Sequence, residues 1–232
     1  MSLIDSEKNK EKILNKFFEI SSALGCSEEV LQSAVTESGF DSKLKDIFFE
    51  DGLIDLFNFA IDVLDKKTLK EAEGIDLSEF GISGKIREFV KIRLHLVAEN
   101  YNSFCQISSY LRHNPKMLSF ILQKSYKFSD LVWYEIDDQS TDYNFYSKRI
   151  LLSKIYLKTL SFFSKNNSVD KSLLYFDSQI QNVLKFSKVK SEIKEMIGGI
   201  FKKNNDNNSI FTKEVFKKCC LKLPFIRLYG RR

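Results

Sequence analysis

Glycine and proline are scarce in this sequence, with nine Gly and two Pro among 232 residues. β-Sandwiches and barrels need many tight turns, which these two residues usually form, so their scarcity disfavours an all-β fold. The apolar residues recur mostly at i, i+3 and i+4, which is the spacing of an amphipathic helix. The sequence therefore predicts an all-α fold.

Cysteine is also rare, and no long apolar run exists. No window approaches eighteen unbroken apolar residues, so nothing in the sequence predicts a membrane-spanning helix. Cys26, Cys105, Cys219 and Cys220 show no metal-binding spacing, and the adjacent pair would form only a strained disulfide. No secretory signal is recognisable at the N-terminus, so we expect reduced thiols in a cytosol.

Residues suited to catalysis are few. The two histidines, His95 and His113, have Ile92 and Tyr110 three positions ahead of them, so neither completes the Glu-x-x-His pattern of a di-iron bundle. No phosphate loop, dinucleotide fingerprint or nucleophile elbow occurs. We therefore expect no enzymatic activity, no metal and no cofactor, and we interpret both histidines as ordinary surface or packing residues.

Charge is abundant but unevenly distributed. Residues 1–65 carry six Lys and fourteen Asp or Glu, a formal charge of −8, whereas residues 185–232 carry thirteen Lys or Arg and four acids, a formal charge of +9. Phenylalanine is heavily used, with 21 residues, enough to bury much apolar area or to line an apolar cavity.

The acidic N-terminal part has a helix-turn-helix pattern. A first amphipathic helix over 7–25 precedes a short helix that Ser27 caps and that Gly39 ends, and Gly52 opens a longer helix to about Lys67. The order of these segments looks like the N-terminal domain of TetR-type regulators, which makes a ligand-responsive transcriptional regulator the alternative function.

The charge of this region argues against DNA binding. The stretch from Phe40 to Gly52 holds Lys43 and Lys45 against four acidic residues, whereas a working helix-turn-helix neutralises phosphates with basic residues. We therefore interpret the helix-turn-helix as inert and expect no nucleic-acid partner.

Further helices are predicted at about 84–98, 100–112, 114–125, 128–136, 142–164 and 169–187, after a polar stretch from Lys66 to Gly84. The last two helices form a natural antiparallel pair. TetR-like proteins usually dimerise through such a pair, and we therefore expect a homodimer.

A polar and aromatic run, Asp138–Arg149, leads into the helix at 142. Ser140, Thr141 and Asp142 are suited to capping that helix. The run resembles a family signature, Gly-Asp-Gln-Ser-Thr-Asp-Phe-Asn-Trp-Tyr-Thr-Lys/Arg-Arg, that follows a Trp-Tyr pair; Asp137 stands where the family often has Gly. The matching positions are Asp138, Gln139, Ser140, Thr141, Asp142, Asn144, Tyr146, Lys148 and Arg149.

The family is that of the lipid-binding proteins of ubiquinone biosynthesis, which includes the ninth Coq protein. The resemblance implies a TetR-like fold with a lipid pocket and a non-enzymatic function: binding ubiquinone precursors or other isoprenoid lipids and presenting them to the demethoxyubiquinone hydroxylase. It also implies a surface patch that contacts the hydroxylase. By position the patch comprises Phe120, Ile121, Asp130, Trp133 and Tyr134, although a lone Trp among apolar residues is more often a core residue.

The basic tail predicts membrane contact. Apolar residues fall on one arc of a helix that begins near residue 210, and lysines border them, as in helices that lie in a bilayer interface. A helix docked on its own domain or on a partner is the other interpretation, and the family resemblance favours the membrane. The membrane-binding residues of this prediction are Phe211, Val215, Phe216, Lys217, Lys218, Leu223 and Phe225.

The sequence thus predicts three parts: a helix-turn-helix-like subdomain over 1–67, a helical lipid-binding domain over 68–187, and a basic amphipathic membrane-binding tail over 188–232. We expect a cytoplasmic protein, peripheral on the inner face of the cytoplasmic membrane of a bacterium, or on the matrix side of the mitochondrial membrane if the source is eukaryotic.

Overall fold

The structure of the protein, a computed structural model, describes the backbone of residues 3–183 and the side chains from residue 7 onward except those of residues 142 and 143. Within this range every regular element is helical and none is a strand, which confirms the all-α fold. Short 3₁₀ turns occupy Ser42–Leu44 and Pro115–Met117. The α-helices are α1 (Leu3–Leu24), α2 (Glu28–Glu37), α3 (Lys45–Phe48), α4 (Leu53–Ala72), α5 (Ile82–Ala98), α6 (Tyr101–His113), α7 (Leu118–Glu135), α8 (Asp142–Asn166) and α9 (169–183).

The caps and turns of the N-terminal helices follow the sequence closely. Ser27 is the N-cap of α2 and its side chain accepts a hydrogen bond from the Val30 amide at 3.3 Å. Gly52 precedes α4 with a φ of 57°, and a Cβ there would lie 2.4 Å from Glu28 Oε1. That carboxylate accepts a hydrogen bond from the Leu53 amide at 2.9 Å, so the glycine makes room for the contact between α2 and the start of α4.

An aromatic and aliphatic core joins α1, α2, α3 and α4. Phe17 of α1 meets Phe57 of α4 edge to face, and Phe57 meets Tyr110 of α6 in the same way, so the core continues into α6. The helix-turn-helix subdomain and the TetR-like arrangement stay predictions. The buried apolar members of this core are Ile13, Leu14, Phe17, Val30, Leu31, Ala34, Val35, Phe48, Phe49, Leu53, Leu56 and Phe57.

The second part of the chain is built on α7, α8 and α9. Phe128 on α7 packs on Tyr156 on α8, with ring centroids 4.4 Å apart. The Phe162 ring on α8 stacks on Tyr175 of α9 at 4.5 Å. Asp130 of α7 also contacts Arg149 of α8, and Lys158 of α8 donates a hydrogen bond to Gln179 of α9. In each pair of helices, contacts that lie later along one helix lie earlier along the other, so the helices run antiparallel. The predicted α8–α9 pair is therefore confirmed, whereas its use in a homodimer stays a prediction.

Two helices differ from the sequence-based expectation. Helix α4 continues to Ala72 instead of ending near Lys67, because its last turns bury Thr68 and Ala72 and so belong to the core. The two helices predicted at 114–125 and 128–136 are one helix, α7, since no Gly or Pro interrupts it. The residues beyond 183, which include the predicted membrane-binding helix, lie outside the described range.

Candidate functional site

A cavity of about 320 Å³ lies among α1, α4, α5, α6, α7 and α8. This volume is at the lower end of the range of about 300–1,000 Å³ that is usual for small-molecule sites. Its walls are mostly aliphatic and aromatic side chains. The half-buried apolar residues of the wall are Phe18, Ala60, Ile61, Val63, Leu64, Val97, Phe104, Ile107, Leu111, Phe120, Ile121, Leu157 and Leu160.

The polar residues that line the cavity fall into three groups. One group is exposed to solvent and forms a polar rim, comprising Asn15, Lys67, Glu99, Asn100, Arg112 and Ser161. A second group is half-buried and comprises Ser108, Lys124 and Ser164. The third group is buried and consists of Arg93, Ser125 and Tyr156, which we call the cavity floor. The cavity is thus polar at its rim and at its floor, with mostly apolar walls.

Arg93 on α5 is the charged residue of the floor, and only 3% of it is exposed. Its Nη1 donates hydrogen bonds to Asp65 Oδ1 at 2.6 Å and to Thr68 Oγ1 at 3.3 Å, both on α4. The guanidinium also lies 4.6 Å from the centroid of the Phe128 ring. A buried charge requires a paired and hydrogen-bonded partner, and Asp65 supplies it here.

Tyr156 on α8 completes the floor beside Arg93. Burial raises the pKa of its hydroxyl, and the Arg93 guanidinium opposes that rise. Phe128 contacts both residues, since its ring centroid lies 4.4 Å from that of Tyr156. The hydroxyl therefore stays protonated at neutral pH, and the floor combines a phenol with a guanidinium whose charge a carboxylate compensates.

A second polar cluster surrounds Asp138, between the end of α7 and the start of α8. Asp138 Oδ1 accepts a hydrogen bond from Lys148 Nζ at 2.7 Å, while Oδ2 accepts from Ser140 Oγ at 2.5 Å and from Arg149 Nη1 at 3.2 Å. The predicted capping is therefore wrong for two residues: Ser140 donates to Asp138, and Thr141 is the N-cap of α8 without a side-chain cap hydrogen bond.

Arg149 connects this cluster to both helices. Only 4% of its side chain is exposed, and its Nε donates to Asp130 Oδ1 of α7 at 2.5 Å. Its Nη1 also donates to the Phe145 carbonyl at 3.1 Å, and Ser129 Oγ donates to the Arg149 carbonyl at 2.8 Å. These contacts hold the start of α8 against the last turns of α7.

The electrostatics of Asp138 follow from these contacts. Burial is the largest single influence and raises its pKa, but hydrogen bonds from Lys148, Ser140 and Arg149 together outweigh it. The pKa therefore lies at about 2, below the usual 3.8. Asp138 is ionised at neutral pH and acts as a fixed acceptor between α7 and α8, so it is unsuited to proton transfer at that pH.

The five residues of the expected hydroxylase patch lie on α7 in two groups. Phe120 and Ile121 line the cavity, whereas Asp130, Trp133 and Tyr134 lie at the other end of the helix. With a rise of about 1.5 Å per residue, the two groups are separated by about 14–21 Å along the helix.

The residues at the C-terminal end of α7 differ in exposure. Tyr134 is 78% exposed, whereas Trp133 is 8% exposed and has a buried indole N–H without a hydrogen-bond partner among the described residues. Lys148 Nζ lies 4.9 Å from the centroid of the Trp133 ring. This end of α7 therefore exposes Tyr134, while Trp133 packs against Lys148 of the Asp138 cluster.

The remaining signature positions lie at the surface. Gln139 Nε2 donates to Asp137 Oδ1 at 2.6 Å, Thr141 and Asn144 are exposed, and Tyr146 is 60% exposed. The side chain of Asp142 and the residues predicted to bind membrane lie outside the described range.

Sequence reasoning missed the importance of Arg93 and Asp65. Arg93 stands between Ile92 and Leu94 on the buried face of α5, and a charged residue on such a face is the signal that could have found it. Asp65 gave no comparable signal, because the polar residues around it suggested the end of a helix.

Comparison with known proteins adds to this geometry. The family model described as COQ9 matches residues 118–187, a segment that begins at α7 and contains the Asp138 cluster. Over these residues the chain is similar to the COQ9 family. The match covers the part of the chain that carries the Trp-Tyr pair and the signature, as the resemblance implied.

Two curated relatives extend the likeness beyond the family segment. The chain is 26% identical over 199 residues to the probable ubiquinone biosynthesis protein coq9, mitochondrial, of Dictyostelium discoideum, which covers 82% of this chain and 64% of the relative. It is 26% identical over 173 residues to the ubiquinone biosynthesis protein COQ9, mitochondrial, of Homo sapiens, which covers 71% of this chain and 53% of the relative. The chain thus spans between about half and two thirds of the relatives it matches. Among residues 3–183, no helix is long and apolar enough to cross a bilayer.

Proposed function

We propose that the protein is a non-enzymatic, lipid-binding accessory protein of ubiquinone biosynthesis. In this proposal the cavity takes up part of a prenylated ubiquinone precursor at a membrane surface, and the protein presents it to the demethoxyubiquinone hydroxylase. The observation that carries the proposal is the apolar cavity inside the bundle. The COQ9 relatives, named as ubiquinone biosynthesis proteins, supply the biosynthetic context.

The physical need for such a protein follows from the hydrophobic effect. Each CH₂ group of a prenyl chain gains about 0.8 kcal/mol when it leaves water, so a prenylated precursor does not leave a bilayer unless another apolar site replaces it. A cavity of about 320 Å³ accommodates a small ring and the first part of its chain. The rest of a long chain would remain outside the cavity.

Helix α7 gives the cavity a physical connection to the surface. Its first turns supply Phe120 and Ile121 to the wall, and its last turn carries the exposed Tyr134. A partner bound at Tyr134 would therefore rest on the same rigid helix as the cavity wall. We propose this end of α7 as the contact for the hydroxylase and, following the relatives, a mitochondrial location at the membrane surface.

The proposal is tested by lipid content. We expect native mass spectrometry of the purified full chain, with organic extraction, to reveal a bound isoprenoid. Ala60 is half-buried and lines the cavity, so Ala60→Trp fills the cavity and should lower the recovered lipid several-fold. Ala98 on α5 is equally half-buried but does not line the cavity, which makes Ala98→Trp the matched control.

Two results would contradict the proposal. One is a purified chain that carries no lipid and takes up none from vesicles containing a prenylated quinone. The other is an Ala60→Trp variant that retains as much lipid as the Ala98→Trp control.

A further inference from the structure

One long segment of the chain contains no acidic residue. It runs from residue 100 to residue 129 and spans α6, the following 3₁₀ turn and most of α7. Its basic residues are Arg112, Lys116, Lys124 and Lys127, a formal charge of +4. Lys127 pairs with two carboxylates of α4, but no carboxylate among the described residues forms an ion pair with the other three. The corner between α6 and α7 therefore presents uncompensated positive charge.

Exposed leucines lie on the same corner. Leu118 and Leu122, in the first turns of α7, are each 49% exposed. Together with Ile121 they occupy positions i, i+3 and i+4, which share one side of a helix. Ile121 also lines the cavity. The three residues therefore form an apolar strip that runs from the solvent to the cavity wall.

The charges around the cavity agree with those of the corner. Outside the floor, the charged residues that line the cavity are Lys67, Arg112, Lys124 and Glu99, a formal charge of +2. Lys124 Nζ lies 5.6 Å from the centroid of the Phe120 ring, so a basic residue meets the apolar wall close to the strip. An apolar strip bordered by Lys and Arg is typical of helices that lie in the interface of an anionic bilayer.

We propose that the α6–α7 corner, formed by Arg112, Lys116, Leu118, Leu122 and Lys124, is a docking surface for an anionic phospholipid bilayer. The leucines enter the interface, and the basic residues contact head-group phosphates. The apolar strip then places the cavity rim against acyl chains, so a lipid passes between bilayer and cavity without crossing water. This inference rests on the proposed function at a membrane surface, and it names a membrane contact that is separate in the sequence from the basic tail.

Tryptophan fluorescence tests where the bilayer lies, whatever else holds the chain to it. The wild type has a single Trp, Trp133, which is 8% exposed and supplies the background. Leu122→Trp places an indole on the corner, and Leu174→Trp, at a leucine of α9 that is 67% exposed, is the matched control. The full-length variants are mixed with vesicles of phosphatidylglycerol and of phosphatidylcholine brominated along its acyl chains. We expect the bromines to quench the emission of Leu122→Trp, and to quench Leu174→Trp no more than the wild type.

Vesicle flotation of the full chain measures what the leucines contribute. Leu118→Gln with Leu122→Gln retains good helix formers but removes apolar surface, so we expect the affinity for the mixed vesicles to fall at least about tenfold. The matched control is Leu24→Gln with Leu174→Gln, the same chemical change at leucines of α1 and α9 that are more exposed. We expect this control to leave the affinity unchanged.

The same assay measures what the basic residues contribute. Arg112→Gln with Lys116→Gln should lower the affinity about 25-fold, since each basic residue near anionic head groups contributes about 1 kcal/mol, or about fivefold. This loss should disappear on vesicles of phosphatidylcholine alone, which carry no net charge. The matched control is Lys8→Gln with Lys43→Gln, which removes the same charge from exposed lysines of the acidic N-terminal part. We expect that control to change the affinity less than about twofold, because salt screens distant charges.

Each result has a definite meaning, and thermal melts establish that the compared variants are folded. The docking surface is overturned if Leu122→Trp is quenched no more than Leu174→Trp while the chain floats with the vesicles, or if neither corner pair weakens binding more than its control. It is also overturned if the emission of Leu122→Trp responds to added hydroxylase but not to vesicles, since the corner then contacts a protein. In these cases a chain that still carries isoprenoid leaves the proposed lipid binding intact. A chain that neither floats nor carries lipid overturns both.

Discussion

Replacing Asp138 by Asn removes the carboxylate that holds α7, the following loop and α8 together. Its side chain is 5% exposed and accepts hydrogen bonds from Lys148, Ser140 and Arg149. Because Asp138→Asn keeps the size of the side chain, the loss of unfolding free energy reports on charge and hydrogen bonding, with little contribution from packing.

The magnitude follows from the pKa of Asp138. The native pKa is about 2, against 3.8 for an ordinary aspartate. This difference is worth about 2 kcal/mol of unfolding free energy at neutral pH, at about 1.4 kcal/mol per unit. Since the native pKa is the lower one, this stability is present above pH 3.8 and is lost as the pH falls towards 2. About 1 kcal/mol of it remains at pH 3.

We therefore expect Asp138→Asn to lower the unfolding free energy by at least about 2 kcal/mol at pH 7. The difference in unfolding free energy between the wild type and the variant, which we call the gap, should be about 1 kcal/mol smaller at pH 3. Urea unfolding of both proteins, followed by circular dichroism, measures the gap at each pH. The control is Asp130→Asn, because Asp130 also pairs with Arg149 but has a side chain that is 50% exposed. We expect that change to cost less than about 1 kcal/mol.

Two outcomes would refute the reasoning. A gap for Asp138→Asn that is the same at pH 3 and pH 7 would mean that the carboxylate charge contributes nothing. A larger loss for Asp130→Asn than for Asp138→Asn would mean that the exposed partner of Arg149, not the buried one, holds the two helices together.

Two further predictions concern single residues. Asp137, two residues after the end of α7, has a φ of 58°, a conformation that Gly adopts without strain. Asp137→Gly should therefore be neutral or stabilising in urea unfolding, whereas Asp137→Val should cost about 1–2 kcal/mol. Equal stability of the two variants would contradict this. Burial, with a smaller contribution from Glu28, raises the pKa of the Cys26 thiol to about 12. Alkylation at pH 8 followed by peptide mass spectrometry should therefore label native Cys26 about a thousandfold more slowly than the urea-unfolded chain, and similar rates would refute the raised pKa.

The N-terminal helices were predictable because local chemistry determines where they begin and end. Ser27 caps α2 from the adjacent turn, and Gly39 and Gly52 occupy left-handed positions that few other residues adopt. The limits of α4 and α7 were less predictable. Whether Thr68 extends α4 depends on its burial against other helices, which the spacing of polar residues in the sequence does not reveal.

The candidate site, too, was predictable from the sequence only in part. The run from Asp138 to Arg149 could be recognised as a signature from its residues alone, and the family comparison confirms that recognition. The hydrogen bonds within it could not be derived. Ser140 binds the Asp138 carboxylate rather than a helix amide because the turn at Asp137 brings that carboxylate within reach.

The sequence by itself determined the all-α class, most of the helix ends and the resemblance to the COQ9 family, since each depends on residues that are close together along the chain. Only the tertiary structure decided which side chains meet across helices. Arg93 and Asp65 are 28 residues apart and form a buried pair at the floor of the cavity. Phe120 and Ile121, expected on a partner surface, line that same cavity. Such contacts arise from how helices pack, and many packings are compatible with the same amphipathic pattern.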